Sequence, residues 1–224
     1  MSIALAPNLH QLQLSPDSTV RLRGLAWSDY VQILTEFGTD RIIRITYTQG
    51  LLEIRMPGSR HEVLNRLLEL IVNVLGAGFG QNLRSFGSTT LNREDLAHGV
   101  EPDSCFYLEQ ADRVVESVSG LLVPDLEAPD LVAPDLVVEV DIASSSKLRL
   151  PVYREMGVAE IWLYRKEKLE VLVLGRDGYE GEIASRAFPQ VTAIELNQWL
   201  ELGIKLGNLP LILQVQQFCQ AIAQ

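Results

Sequence analysis

Hydrophobic and polar positions alternate most cleanly over residues 134–142. Leu136, Val138, Val140 and Ile142 fall on one side of a strand, and Asp135, Val137, Glu139 and Asp141 on the other. A strand this rich in Val belongs inside a sheet. Over residues 61–75 the period changes to that of a helix. Val63, Leu64, Leu67, Leu68, Ile71, Val74 and Leu75 make a wide apolar face, with Glu62, Arg66, Glu69 and Asn73 opposite. A shorter helix is expected over 25–37, with Ser28 as N-cap and Gly38 as stop. Two strands at 41–47 and 51–56 are joined by a hairpin signal, Thr48-Gln49-Gly50. Further strands are expected at 82–91 and 102–108.

After the central strand comes a polar loop containing Ser144, Ser145, Ser146 and Lys147. A short helix follows, with Pro151 in its first turn and Gly157 at its end. Strands at 160–165, 169–174 and 179–184 precede closing helices at 194–202 and 211–222. Residues 1–20 are turn-rich and read as a loose arm. Pro-Asp-Leu recurs at Pro124, Pro129 and Pro134, but only the third copy runs into a strand, so the first two read as an extended connection. The pattern gives one α/β domain over 1–224 with a mixed sheet, its C-terminal helices lying within 192–224.

Composition narrows the function. With 47% hydrophobic and 21% charged residues the chain has material for a sizeable core, and a net charge of -10 argues against a nonspecific nucleic-acid binder. An enzyme whose acidic site is neutralised locally remains compatible. Cys105 and Cys219 have no metal-ligand spacing and read as reduced and packed. A cationic region followed by an apolar one is missing from the first residues, and no apolar run reaches membrane-spanning length, which makes the cytoplasm the default compartment. Gly76, Gly78 and Gly80 follow a helix, whereas a dinucleotide loop follows a strand, so a cofactor loop is rejected. The serines at 144–146 lack the Gly-x-Ser-x-Gly turn of a hydrolase nucleophile.

Glu139 and Asp141 place two acids two residues apart on a strand expected to be buried. Unpaired carboxylates there cost several kcal/mol or shift their pKa upward. The pair therefore asks for a divalent metal, a Lys or Arg partner, or a solvent-open edge. His61 reads as structural or substrate-facing, Tyr153 and Trp162 as core, and Arg165, Lys166 and Lys168 as a charged hairpin turn.

Several stretches carry a resemblance in order: Ile43 to Gly50, Met56-Pro57, His61, Glu101-Pro102-Asp103, Pro134 to Val140, and Tyr153 to Leu163 with Gly157-Val158 and Ile161-Trp162. Together they resemble the Uma-type family of restriction-endonuclease-like proteins, abundant in cyanobacteria, within the PD-(D/E)XK nuclease superfamily. The resemblance implies an αβββαβ core with an added N-terminal helix and hairpin and C-terminal helices. It also implies a Mg²⁺ (or Mn²⁺)-dependent endonuclease hydrolysing phosphodiester bonds in DNA. The metal ligands it implies are Asp103, Glu139 and the carbonyl of Val140, with Glu62 as an additional acid. Asp103 read alone is a turn residue; beside Glu139 it is a ligand. The superfamily's Lys two residues after the Glu is Asp141 here, which divides evenly between extra ligand and partner for Arg149. The basic role passes to Arg149 or Lys147. Arg stays protonated and only stabilises developing charge, whereas Lys can also act as a base. The implied catalytic set is thus Asp103, Glu139, Asp141, Lys147 and Arg149. The alternative is a nuclease-fold protein of weak or no activity that serves as a nucleic-acid-binding or protein-interaction module. A homodimer is left open, residues 209–222 reading equally as interface and as core helix. An unrelieved acid cluster further predicts that replacing Asp103 or Glu139 by Ala leaves the metal-free protein as stable or more so.

Overall fold

The computed structural model describes residues 13–38, 41–109, 111–113, 115–116, 122–123, 132–142 and 145–223. Ser144 and the first two Pro-Asp-Leu copies, at Pro124 and Pro129, lie outside them, as does most of the expected N-terminal arm. In chain order the elements are β1 (Ser18–Arg23), α1 (Trp27–Phe37), β2 (Arg44–Thr48), β3 (Leu51–Met56), α2 (Ser59–Gly78), β4 (Arg84–Gly87), β5 (Leu91–Arg93), β6 (His98–Val100), β7 (Ser104–Tyr107), β8 (Val115–Glu116), β9 (Leu122–Val123), β10 (Leu136–Asp141), α3 (Arg149–Met156), β11 (Glu160–Arg165), β12 (Lys168–Leu174), β13 (Tyr179–Glu182), α4 (Ala193–Leu206) and α5 (Asn208–Ile222).

Two larger sheets organise these elements. The first runs β1-β3-β2-β6-β5 and the second β13-β12-β11-β10-β7-β4. The first is antiparallel throughout; in the second, β10 and β11 are parallel and the other pairs antiparallel. This is a mixed α+β fold. A parallel pair needs a crossover, which α3 supplies between β10 and β11. The chain passes from one sheet to the other at Glu101-Pro102-Asp103, between β6 and β7.

The two faces of β10 do different work. Leu136, Val138 and Val140 pack into a core shared with Leu64, Leu67, Leu68 and Ile71 of α2 and with Leu196, Leu200, Leu211 and Val215 of α4 and α5. Val137 turns into a second core with Val152 and Tyr153 of α3, and Glu139 shares that side. Pro151 sits in the first turn of α3, where its missing N–H costs nothing, and Gly157 ends the helix at φ 81°, in the left-handed region.

Four details differ from the pattern-based expectation. Residues 18–20 belong to edge strand β1, paired antiparallel with β3 from Ser18↔Met56 onward, rather than to an arm. The N-cap of α1 is Ala26, not Ser28, with its N–H donating to Asp29 Oδ2 at 2.7 Å. Residues 82–91 are not one strand: β4 joins the second sheet and β5 the first. Val63 is also 54% exposed, so the buried face of α2 is narrower than its apolar content suggests. Both cysteines are free and buried. Among the described residues no helix is long and apolar enough to cross a membrane.

Candidate active site

Where the two sheets meet, four carboxylates gather around two buried guanidinium groups. Asp103 comes from the crossing between β6 and β7, Glu139 and Asp141 from the end of β10, and Glu53 from β3. Asp103 is 2% exposed, and Glu53 and Glu139 are fully buried, as is Arg149 at the start of α3; Arg55 of β3 is 3% exposed.

Helix α2 and strand β10 fix Asp103. His61 Nε2 lies 2.9 Å from its Oδ2, and the Val140 amide donates to the same oxygen at 2.8 Å. One turn along α2, Asn65 Nδ2 donates to the Asp103 carbonyl at 3.2 Å, as residues four apart on a helix share a face. Burial alone would raise the Asp103 pKa. Arg55, the His61 hydrogen bond and Arg149 outweigh it and hold the carboxyl well below the usual range. An ionised carboxylate only accepts, so Nε2 of His61 carries the proton. The other oxygen, Oδ1, is buried without a hydrogen-bond partner and lies 3.5 Å from Arg55 Nη1.

Glu139 is more enclosed. Its Oε1 accepts from the Tyr153 hydroxyl at 2.5 Å, and its Oε2 from Arg149 Nε at 2.9 Å, with Arg149 Nη2 at 2.7 Å. Oε2 also lies 3.9 Å from Arg55 Nη1. Burial pushes Glu139 up, against the pull of Arg149 and Arg55. The two carboxylates are thus driven in opposite directions, as acid–base pairs in active sites are. The second nitrogen of Arg149 reaches Asp141 Oδ1 at 3.1 Å and Nη1 reaches Glu53 Oε1 at 3.3 Å. Ser146 closes the ring, its hydroxyl donating to Asp141 at 2.7 Å and accepting from Arg149 at 2.7 Å. On its outer side Glu53 takes Arg21 Nε at 2.8 Å.

The expected residues divide accordingly. Asp103 and Glu139 converge on one cation, but that cation is the Arg55 guanidinium. Asp141 is a partner of Arg149, with both its oxygens also engaged by Ser146. Arg149 points inward, whereas Lys147 is exposed. Val140 meets Asp103 through its amide. Glu62 lies outside the cluster, half-exposed and paired with Arg66 at 2.7 Å. Tyr153 is not merely core, since it holds Glu139. Two participants carry no expectation from sequence, Glu53 and Arg55. Their Glu-x-Arg spacing on a strand, complementary to Glu139-x-Asp141, is the signal that marks them.

Among the described residues no group of three or more His, Cys, Asp and Glu side chains is arranged to hold a metal. The donor set nevertheless suits a hard cation. Asp103 Oδ1 is an orphaned, buried, anionic oxygen, and Glu139 Oε2 faces the same nitrogen. A small cavity lined by Asp17, Ser18, Arg55, Met56, Pro57, His61 and Ile142 opens beside Arg55 and His61.

A search of curated proteins finds no match. Among solved structures the fold is similar to the crystal structure of a "putative nuclease" from Anabaena variabilis ATCC 29413, with a TM-score of 0.56 at 15% identity, covering 79% of this chain and 99% of that one. The family model described as "Uma2: Putative restriction endonuclease" matches residues 27–211, and the chain belongs to that family.

Proposed function

We propose that this protein is a divalent-metal-dependent endonuclease that hydrolyses phosphodiester bonds in DNA, with Asp103 and Glu139 as metal ligands and Arg149 as the cation that neutralises the cluster and the scissile phosphate. The observation that carries this reading is the meeting of two carboxylates, one from the crossing between β6 and β7 and one from β10, around a single cation position, 3.5 and 3.9 Å from Arg55 Nη1. Membership of a family of restriction-endonuclease type and the similarity to a nuclease fold support it. In this reading Asp103 Oδ1 and Glu139 would hold the ion, in competition with Arg55. When bound, the metal polarises a phosphoryl oxygen and acidifies an attacking water. The chain's own groups do the positioning. His61 and the Val140 amide aim Asp103, Tyr153 aims Glu139, and Arg149 keeps three acids from repelling one another. Of the two cationic residues in the set, only Lys147, which is exposed, can act as a base, since guanidinium does not deprotonate. A homodimer belongs to the proposal only as an arrangement to be measured.

The test uses supercoiled plasmid DNA with Mg²⁺ or Mn²⁺. The expected result is nicking or linearisation by the wild type and loss of both in Asp103→Asn and Glu139→Gln, substitutions that keep the side-chain shape. Undiminished cleavage by both variants overturns the assignment.

A second reading is favoured by one observation: every acid of the cluster has a guanidinium within 4 Å. A nuclease fold so neutralised would bind nucleic acid without cutting it. Calorimetric titration with Mn²⁺ separates the two readings. Glu139-dependent binding supports the enzyme; no binding, together with retained DNA association, supports the module.

A further inference from the structure

Next to the carboxylate cluster lies a second polar cavity, of about 190 Å³, between the start of β2 and the loop from β4 to β5. Its lining is Arg41, Ile43, Arg44, Ser88, Thr89, Thr90 and Glu101. The carboxylate there is fully used. Glu101 accepts from the Ile45 amide at 2.8 Å, from Thr90 at 2.9 Å and from Arg41. Arg41 is spent on that pair and on the Gly38 carbonyl. Arg44 differs. Among the described residues its one hydrogen bond goes from Nη1 to the carbonyl of Ile43 at 3.3 Å, its Nε is buried without a partner, and no carboxylate lies within ion-pair distance.

Two guanidinium groups against one carboxylate leave the cavity with one net positive charge, in a chain whose net charge is -10. Arg44 is moreover the cross-strand neighbour of Arg55, the residue that spans Asp103 and Glu139. Like charges side by side on a sheet are destabilising. Burial lowers the Arg44 pKa, Asp103 partly offsets this and Arg55 adds to it. A half-buried guanidinium held at such cost, with most of its five donors free, is set up to receive an anion.

We infer that this cavity is a phosphate site, in which Arg44 and the hydroxyls of Ser88 and Thr89 grip a backbone phosphodiester of the nucleic acid, next to the one presented to Asp103 and Glu139, while Thr90 keeps its proton on Glu101. The inference rests on the nuclease reading and adds to it a residue that positions substrate without touching the reacting atoms. Serine and threonine hydroxyls with a planar guanidinium fork make a common phosphate-binding set. A phosphate contact fixes register on the strand and carries no sequence preference.

Fluorescence anisotropy with a labelled DNA duplex, in EDTA and over a series of salt concentrations, tests this with wild type, Arg44→Gln and, as a charge control on α4, Lys205→Gln. Arg44→Gln is expected to bind about tenfold more weakly, to lose affinity equally for unrelated sequences, and to flatten the slope of log K against log[salt] by about 0.9, the signature of one lost phosphate contact. Arg44→Lys, which keeps the charge, should recover part of both. Since Arg44 has no ion-pair partner to lose, the Gln variant should melt no lower than wild type, so weak binding is not misfolding. Binding and slope unchanged in Arg44→Gln, or changed equally in Lys205→Gln, overturn the site while leaving the nuclease reading intact. Should wild type bind no duplex, the nucleic-acid reading falls, and with it this site as a backbone grip. A parallel melt in inorganic phosphate against chloride at equal ionic strength then shows which part failed. An Arg44-dependent rise means the cavity takes a small phosphate instead, and no rise removes the anion site altogether.

Discussion

Replacing Arg149 by Met removes one buried guanidinium and leaves three carboxylates facing an apolar side chain of similar length. Glu139 loses contacts at 2.9 and 2.7 Å, Asp141 one at 3.1 Å and Glu53 one at 3.3 Å. Glu53 and Glu139 are wholly buried, so water does not screen what remains. Removing one partner of a buried ion pair costs about 3–5 kcal/mol, because the stranded charge must be protonated or solvated. For a chain of this size each kcal/mol lowers the melting temperature by about 2–4 °C. The expected fall is thus roughly 6–20 °C in EDTA. Circular-dichroism melts at pH 7.5 measure it. Two further results are bound to the same reasoning. The double variant Arg149→Met with Glu139→Gln should recover part of the loss, since the neutral Gln no longer needs a counter-charge. Glu139→Ala alone should destabilise, reversing the sign expected from sequence, because the acid it deletes is not unrelieved but holds Arg149 and Tyr153. A melting point of Arg149→Met within about 2 °C of wild type, less than 1 kcal/mol, would refute the account of the cluster as an ion-paired unit.

Tyr153→Phe strands Oε1 of Glu139 without its donor at 2.5 Å, and should cost about 1–3 kcal/mol in urea denaturation; an unchanged midpoint would show the hydroxyl to be idle. Glu160 is pushed up by burial from its ordinary 4.5, against donations from the Ala187 amide, Ser185 and Trp162. The folded state therefore holds its proton more tightly than the unfolded one, so this group's contribution is present below pH 4.5 and fades as pH rises through the raised folded value. The melting-temperature advantage of wild type over Glu160→Gln should shrink between pH 4.5 and pH 8, and a difference that stays constant across that window would contradict the shift.

Much of the fold is legible because it is written locally. The period of two in β10, the helical face of α2, and Pro151 with Gly157 around α3 each lie within one element and report its burial directly. Strand β1 escapes because Ser15-Pro16-Asp17 announces a turn, while what makes the next six residues a strand is pairing with β3, 28 to 38 positions away. The site divides along the same line. Glu139, Asp141 and Arg149 sit within ten residues and one crossover, so their meeting follows from the local pattern.

Arg55 and Glu53 are different in kind. Both faces of β3 are buried, Leu52, Glu53, Ile54 and Arg55 alike, although in sequence its two charged residues look like solvent-side positions of a hairpin. The partner of Glu53 on α3 is 96 residues further along, and no window on the chain connects them. Their identity nevertheless decides how the acid pair behaves. A pair of buried carboxylates in a sequence states only that a cation is required; which cation answers depends on residues that arrive from the other sheet. Here Arg55 Nη1 lies between Asp103 and Glu139 at 3.5 and 3.9 Å, and were these two acids the metal ligands proposed above, an ion would compete with that guanidinium for them. Arg55→Gln should then raise Mn²⁺ affinity in calorimetry while lowering metal-free stability, and a variant that binds Mn²⁺ no better than wild type would separate the guanidinium from the ion's place.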